Sequence, residues 1–142
     1  QINTEKVSIS PILEWHSKIV YIKEVEAGTS IGYGRTFVAD RAMKIATIPV
    51  GYADGYNRLL SNRGHVLVGG QKAPIVGRIC MDQTMIDISH ISNATKGDDV
   101  ILIGSQEQNI ITADDIAALC HTIPHEVLTS ISPRVDRLYI SQ

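Results

Sequence analysis

The apolar residues of this chain fall in short β-branched runs, each closed by glycine or by a turn containing aspartate. Lys44 to Val50, His65 to Val68, Ala73 to Val76, Met85 to Ile88 and Asp99 to Ile103 all follow this pattern. Runs this short, bounded by turn residues, read as strands rather than helices. Gly69-Gly70-Gln71 and Lys96-Gly97-Asp98 are expected to be turns, and Gly104 is expected to end the last of these strands. Lys18 to Glu26 reads as a further strand, with Ile19, Tyr21 and Val25 sharing a face. Thr36 to Ala39 is expected to form a hairpin with Lys44 to Val50 through Asp40-Arg41.

One helix is signalled. Thr112 with Asp115 three residues on makes a capping box, and Asp114 adds favourable charge to the first turn. Ile116, Leu119 and Cys120 supply its apolar stripe, and Pro124 is expected to stop it. A short second helix is expected from His125 to Thr129. The prediction is a single, mainly-β, small barrel-like domain over 1–142 with one or two short helices.

Composition narrows the function classes. Hydrophobic residues at 44% are sufficient for one core, while a net charge of −2 gives no basic surface for nucleic acid. No apolar run approaches the roughly 18 residues of a membrane span, so a soluble, cytoplasmic domain is expected, membrane-anchored only if an upstream segment exists. Cys80 and Cys120 make neither a disulfide framework nor a metal motif and read as free thiols. His121 and His125 have a helical spacing, but Pro124 between them breaks the helix, so no metal site is expected. The chain opens on Gln1, as a piece of a longer protein would.

Three segments carry chemistry. In Gly32-Tyr33-Gly34-Arg35-Thr36, a tyrosine between glycines suits either a presented phenol or an ordinary turn. In Gly51-Tyr52-Ala53-Asp54-Gly55-Tyr56-Asn57-Arg58, a turn after a strand offers a polar rim of Tyr, Asp, Tyr and Arg, or a solvated loop. In Gly77-Arg78-Ile79-Cys80-Met81-Asp82, Arg78 is suited to a carboxylate through its planar fork, and Met81 is placed to offer a backbone N–H. The bland alternative is a core strand with a surface ion pair.

Together, and in this order, these segments resemble the C-terminal domain of alanine racemases. The resemblance runs from Gly28 to Arg134, about three-quarters of the chain, and includes Ile48-Pro49-Val50-Gly51-Tyr52-Ala53-Asp54-Gly55-Tyr56. It implies an isomerase that uses pyridoxal phosphate to interconvert L- and D-alanine for peptidoglycan precursors. The cofactor and its lysine would lie on an N-terminal (β/α)₈ barrel outside this chain. Lys6, Lys18, Lys23, Lys44, Lys72 and Lys96 all lie in segments unlike the cofactor-lysine motif.

By resemblance, Tyr33 is the catalytic residue acting on the L-enantiomer, and it would serve the active site of a partner subunit in a homodimer. Met81 matches the position whose backbone N–H binds the substrate carboxylate. Tyr52 matches an inner-gate residue of the substrate channel, and Arg58, Arg78 and Asp82 match polar residues further out. Many alanine racemases have tyrosine at the place of Pro133, so the smaller Pro133 bears on substrate selectivity and keeps serine open beside alanine. The alternatives are a serine/alanine racemase of the vancomycin-resistance type, a non-catalytic β-barrel interaction module, and a relative of the pyridoxal-phosphate decarboxylases.

Overall fold

A computed structural model describes residues 12–141, with Tyr33 described in its backbone only. The runs of β-branched residues form antiparallel strands. In chain order these are β1 (Trp15–Lys18), β2 (Tyr21–Val25), β3 (Ser30–Ile31), β4 (Phe37–Val38), β5 (Met43–Ile48), β6 (His65–Val68), β7 (Gln71–Pro74), β8 (Thr84–Asp87), β9 (Asp99–Gln106) and β10 (Asn109–Ile111). One sheet has the order β1-β9-β6-β7, with β10 also on β9, and a second has the order β2-β5-β8.

The sheets meet at two places. Ile75 bridges to Ile86 at one edge. At the other edge the chain itself changes sheets. The Ile19 N–H donates to the Asp98 carbonyl at 3.1 Å, and the next residue, Val20, donates to the Thr47 carbonyl at 3.0 Å. The result is barrel-like, yet the sheets do not close. Ile19, Ile48, Val66, Leu67, Ile86, Ile88 and Leu102 fill the space between them and are buried.

Several local expectations need correcting. The strand expected from Lys18 to Glu26 is interrupted at Ile19-Val20, where the chain crosses between sheets, so Ile19 and Tyr21 do not share a face. Ile19 is 1% exposed and Tyr21 58%. The expected hairpin of Thr36–Ala39 with Lys44–Val50 does not form either. β4 pairs with β3, while β5 pairs with β2 and β8. β9 also runs past Gly104, to Gln106.

The helices follow their sequence signals more closely. Helix α1 (Ala113–Cys120) opens on the reciprocal bonds of Thr112 and Asp115, with Ile116, Ala117 and Cys120 buried. It ends at His121 in a left-handed conformation with φ 56. Pro124 therefore does not stop α1. It begins helix α2 (Pro124–Thr129) at a position where proline's missing N–H costs nothing.

The hairpin β3–β4 has its own small core of Val25, Ile31, Ala39, Met43, Ile45 and Val76. This core anchors the loop that carries Tyr33.

Candidate functional site

The site is built on the segment from Gly77 to Asp82, against which the two tyrosine-bearing turns lie. On one side is the tip of β3–β4. Ile31 pairs with Phe37 across it, and Tyr33–Arg35 form a short 3₁₀-like turn kinked at Gly34. Gly34 takes φ 78, in the left-handed region where a side chain is strained. A Cβ there would also lie 2.9 Å from Arg78 Nη1, so the Arg78 guanidinium rests against the backbone beside Tyr33.

On the other side is the turn Tyr52–Asp54. The Tyr52 and Ala53 N–H groups donate to the Cys80 and Met81 carbonyls, each at 3.0 Å. This contact is possible only because residue 51 is glycine. A Cβ on Gly51 would stand 2.1 Å from the Cys80 oxygen and 2.4 Å from the Met81 oxygen. Asp54 stiffens the turn by accepting the Gly51 N–H at 2.9 Å.

Met81 is half exposed. Its carbonyl is taken by Ala53, but its N–H donates to no acceptor among the described residues. Tyr52 is likewise exposed, with the Arg58 guanidinium 5.6 Å from its ring centre, a cation–π arrangement.

Arg78 and Asp82 do not pair with each other. Asp82 instead receives Arg134 Nη2 at 2.8 Å, and Arg134 Nε stands 3.6 Å from Asp54. The hydrogen bond to Asp82 and the charge of Asp54 push the Arg134 guanidinium above its ordinary value. Pro133 is exposed beside this pair, and the preceding Ser132 N–H donates to the Asp54 carbonyl at 2.9 Å. The turns bearing Tyr52, Met81, Asp82 and Pro133 are thus joined directly. Arg134 is a member of the cluster that sequence reasoning missed.

Tyr56 is a correction to the expected polar rim. It is 2% exposed, packs edge-on against Trp15 at 5.7 Å, and has its phenol pushed up by burial. Behind it lies a cavity of about 40 Å³ between the loop and α2, room for little more than water.

The cluster is made of arginines, carboxylates, hydroxyls and backbone amides. No lysine takes part in its hydrogen bonds or ion pairs among the described residues. Among those residues, no group of three His, Cys, Asp or Glu side chains is placed to hold a metal ion. No helix among them is long and apolar enough to cross a membrane.

The profile of the family described as "Alanine racemase, C-terminal domain" matches residues 12–139. The chain belongs to this family. Alanine racemase 2 of Caldanaerobacter subterraneus subsp. tengcongensis is 58% identical over 134 residues, covering 94% of this chain and 34% of that protein. The crystal structure of alanine racemase from Bacillus anthracis with bound L-Ala-P superposes with a TM-score of 0.91 at 40% identity, over 95% of this chain and 34% of that one. The alanine racemase of Bartonella henselae with covalently bound pyridoxal phosphate superposes with a TM-score of 0.83 at 38% identity, over 89% of this chain and 34% of that one. The domain therefore spans about a third of the length of the curated alanine racemases it matches.

Proposed function

We propose that this domain completes the active site of an alanine racemase by presenting Tyr33 to a substrate held in a partner subunit. The observation that carries the reading is the convergence of the Tyr33 turn and the Tyr52 turn on one segment, Gly77 to Asp82, whose Met81 N–H has no acceptor among the described residues.

Racemisation removes the α-proton from one face of the amino acid and returns one to the other. Tyr33 is the group on the L-face. A phenol ionises near 10 in water and needs a nearby positive charge to accept a proton at neutrality. The Arg78 guanidinium against Gly34 is this chain's own candidate for that charge. The Met81 N–H holds one oxygen of the substrate carboxylate, which fixes the α-carbon relative to Tyr33. Tyr52 narrows the entrance. Arg58, Arg78 and Asp82 line its outer part, where a corridor of both charges admits a small zwitterion.

Pyridoxal phosphate, the electron sink for the proton-abstraction step, belongs to an N-terminal barrel outside this chain, together with the opposing lysine. The full protein is a homodimer that supplies D-alanine for peptidoglycan precursors. Its setting is cytoplasmic, in keeping with the free thiols Cys80 and Cys120; an upstream membrane segment would make it membrane-anchored.

Sharing of sites between subunits has a direct test. Full-length Tyr33→Phe and a full-length variant lacking the cofactor lysine are each expected to be inactive. Mixed and re-paired, they should recover roughly a quarter of wild-type activity, since half of the dimers are mixed and each mixed dimer has one intact site. Full activity in Tyr33→Phe alone, or no recovery on mixing, would refute the reading.

A further inference from the structure

Asn62 lies outside every segment assigned above, on the turn that follows the 3₁₀ segment Arg58–Leu60, and it has φ 57. Its side chain bonds in two directions. Oδ1 accepts the Gly77 N–H at 2.6 Å, and Nδ2 donates to Thr36 Oγ1 at 3.1 Å. The first bond holds the start of the segment that carries Arg78. The second holds the far end of the loop that carries Tyr33.

The neighbouring residue reinforces the first attachment. Ser61 Oγ accepts the Ile79 N–H at 2.9 Å and donates to the Arg58 carbonyl. The two held segments also press on each other, since a Cβ on Gly77 would lie 2.8 Å from the Ile31 carbonyl. Beyond the small core beneath its strands, the Tyr33 loop is a two-residue-per-strand hairpin with Gly32, Gly34 and Arg35 all at positive φ. A hairpin this short has little rigidity of its own. A side-chain amide at its end is then worth more than its own hydrogen-bond energy, because a displacement of about 1 Å at a proton-transferring group can cost 10²-fold in rate.

We propose that Asn62 is a positioning residue for Tyr33, fixing the catalytic turn against the Arg78 segment through its two amide contacts. This rests on the reading of Tyr33 as the group acting on the L-face. Asn62 touches no reacting atom in this scheme. Its effect is exerted through Thr36 and Gly77.

The test uses full-length enzyme with cofactor content checked by absorbance. The equilibrium between the enantiomers obliges kcat/KM to fall equally in both directions, so the decisive readout is the substrate α-deuterium isotope effect. If Asn62 positions Tyr33, Asn62→Gly, which keeps the positive φ, should lower kcat/KM about tenfold. The isotope effect should rise with L-alanine, whose proton Tyr33 removes, and fall with D-alanine.

Thr36→Val should move both isotope effects the same way by a smaller amount, and adding it to Asn62→Gly should do little more. Asn62→Asp should recover most of the rate, since its carboxylate still accepts the Gly77 N–H and the Thr36 hydroxyl can turn to donate. Should kcat/KM fall with both isotope effects unmoved, Asn62 is merely structural and the proposal is overturned. The same holds if Asn62→Gly and Thr36→Val leave the isotope effects at wild-type values while Tyr33→Phe abolishes racemisation. If Tyr33→Phe itself racemises normally, the reading of Tyr33 fails first, and the role of Asn62 falls with it.

Discussion

Arg134 Nη2 donates to the Asp82 carboxylate at 2.8 Å, joining residues 52 apart in sequence, while Arg134 Nε faces Asp54 at 3.6 Å. One side chain therefore ties the turn of Tyr52 to the turn of Met81. Both carboxylates belong to turns that already bond to each other, so the arginine sets their relative angle rather than holding the domain together.

Arg134→Ala should accordingly affect binding more than stability. An exposed pair of this kind contributes little to folding, so the thermal midpoint of the full-length enzyme should move by no more than about 2 °C. The KM for alanine should rise several-fold, with kcat changed less. Arg134→Lys should restore only part of the binding, because an ammonium cannot span two carboxylates as a planar fork does. Steady-state kinetics beside a melting curve decide this; a kcat loss at unchanged KM would contradict it.

Gly51 makes a sharper structural prediction. Its φ of −152 is ordinary extended backbone, so conformational freedom is not the issue. The obstacle is space, with carbonyl oxygens 2.1 and 2.4 Å from where a Cβ would sit. Gly51→Ala should push the Tyr52 turn off the Met81 segment and destabilise by about 2–4 kcal/mol. Gly69 is the useful contrast, with φ 58 and nothing within 4 Å of its Cβ position. Gly69→Ala should cost only about 1–2 kcal/mol, from left-handed backbone strain. Denaturant midpoints for the two variants should separate accordingly.

These contrasts show what the sequence could and could not reveal. β5, β6 and β9 were legible because runs of apolar residues rich in β-branched ones are buried on both faces, as in Ile45, Ala46 and Ile48 or Val100, Ile101 and Leu102. β1 (W-H-S-K), the two-residue β3 and β10 were not, since such short or polar stretches carry no period. Asp40-Arg41 correctly marked a bend, but a turn signal does not say which strand the chain will pair with next. The segments bearing Tyr33, Tyr52 and Met81 were marked by glycines because close backbone approach requires them. Arg134 and Asn62 had no such mark: a surface arginine does not announce which distant carboxylate it will meet. Asn62 offered only the turn composition of Ser61-Asn62-Arg63-Gly64.

His65 gives the domain a pH dependence of known sign. Burial, then the charge of Lys72, lower its affinity for a proton below the ordinary 6.5, with Asp115 opposing weakly. The unfolded chain therefore binds a proton more readily than the folded one. The contribution of neutral His65 is fully present above the unfolded value and is lost as pH falls below it, toward the lower folded value. Ring-proton NMR should find the His65 midpoint below 6.5. Lowering pH from about 7.5 to about 5.5 should depress the thermal midpoint of wild type more than that of His65→Gln. A midpoint above that of a free histidine would reverse the sign and refute the assignment.

The proposed role of Pro133 in substrate choice can be tested from its place in the fold. It is exposed, and it is flanked by Ser132, bonded to the Asp54 carbonyl, and by Arg134, bonded to Asp82. A side chain at this position therefore starts from the same joined turns that carry Tyr52 and Met81. Proline is small and has no hydroxyl, so it leaves open the volume that an aromatic ring would fill. If that space adjoins the substrate's β-carbon, the full-length enzyme should racemise serine within about tenfold of alanine, a gap of roughly 1.4 kcal/mol in transition-state binding. Pro133→Tyr should then depress serine turnover more than alanine turnover, because the ring removes room that the serine hydroxyl needs. Replacing proline also frees φ and restores an N–H, which could shift the turn by itself. Pro133→Ala separates the two causes. A serine-to-alanine ratio that falls in Pro133→Tyr and holds in Pro133→Ala assigns the effect to ring volume. Equal shifts in both assign it to the backbone and defeat the steric argument, and no shift in either moves substrate choice to the barrel.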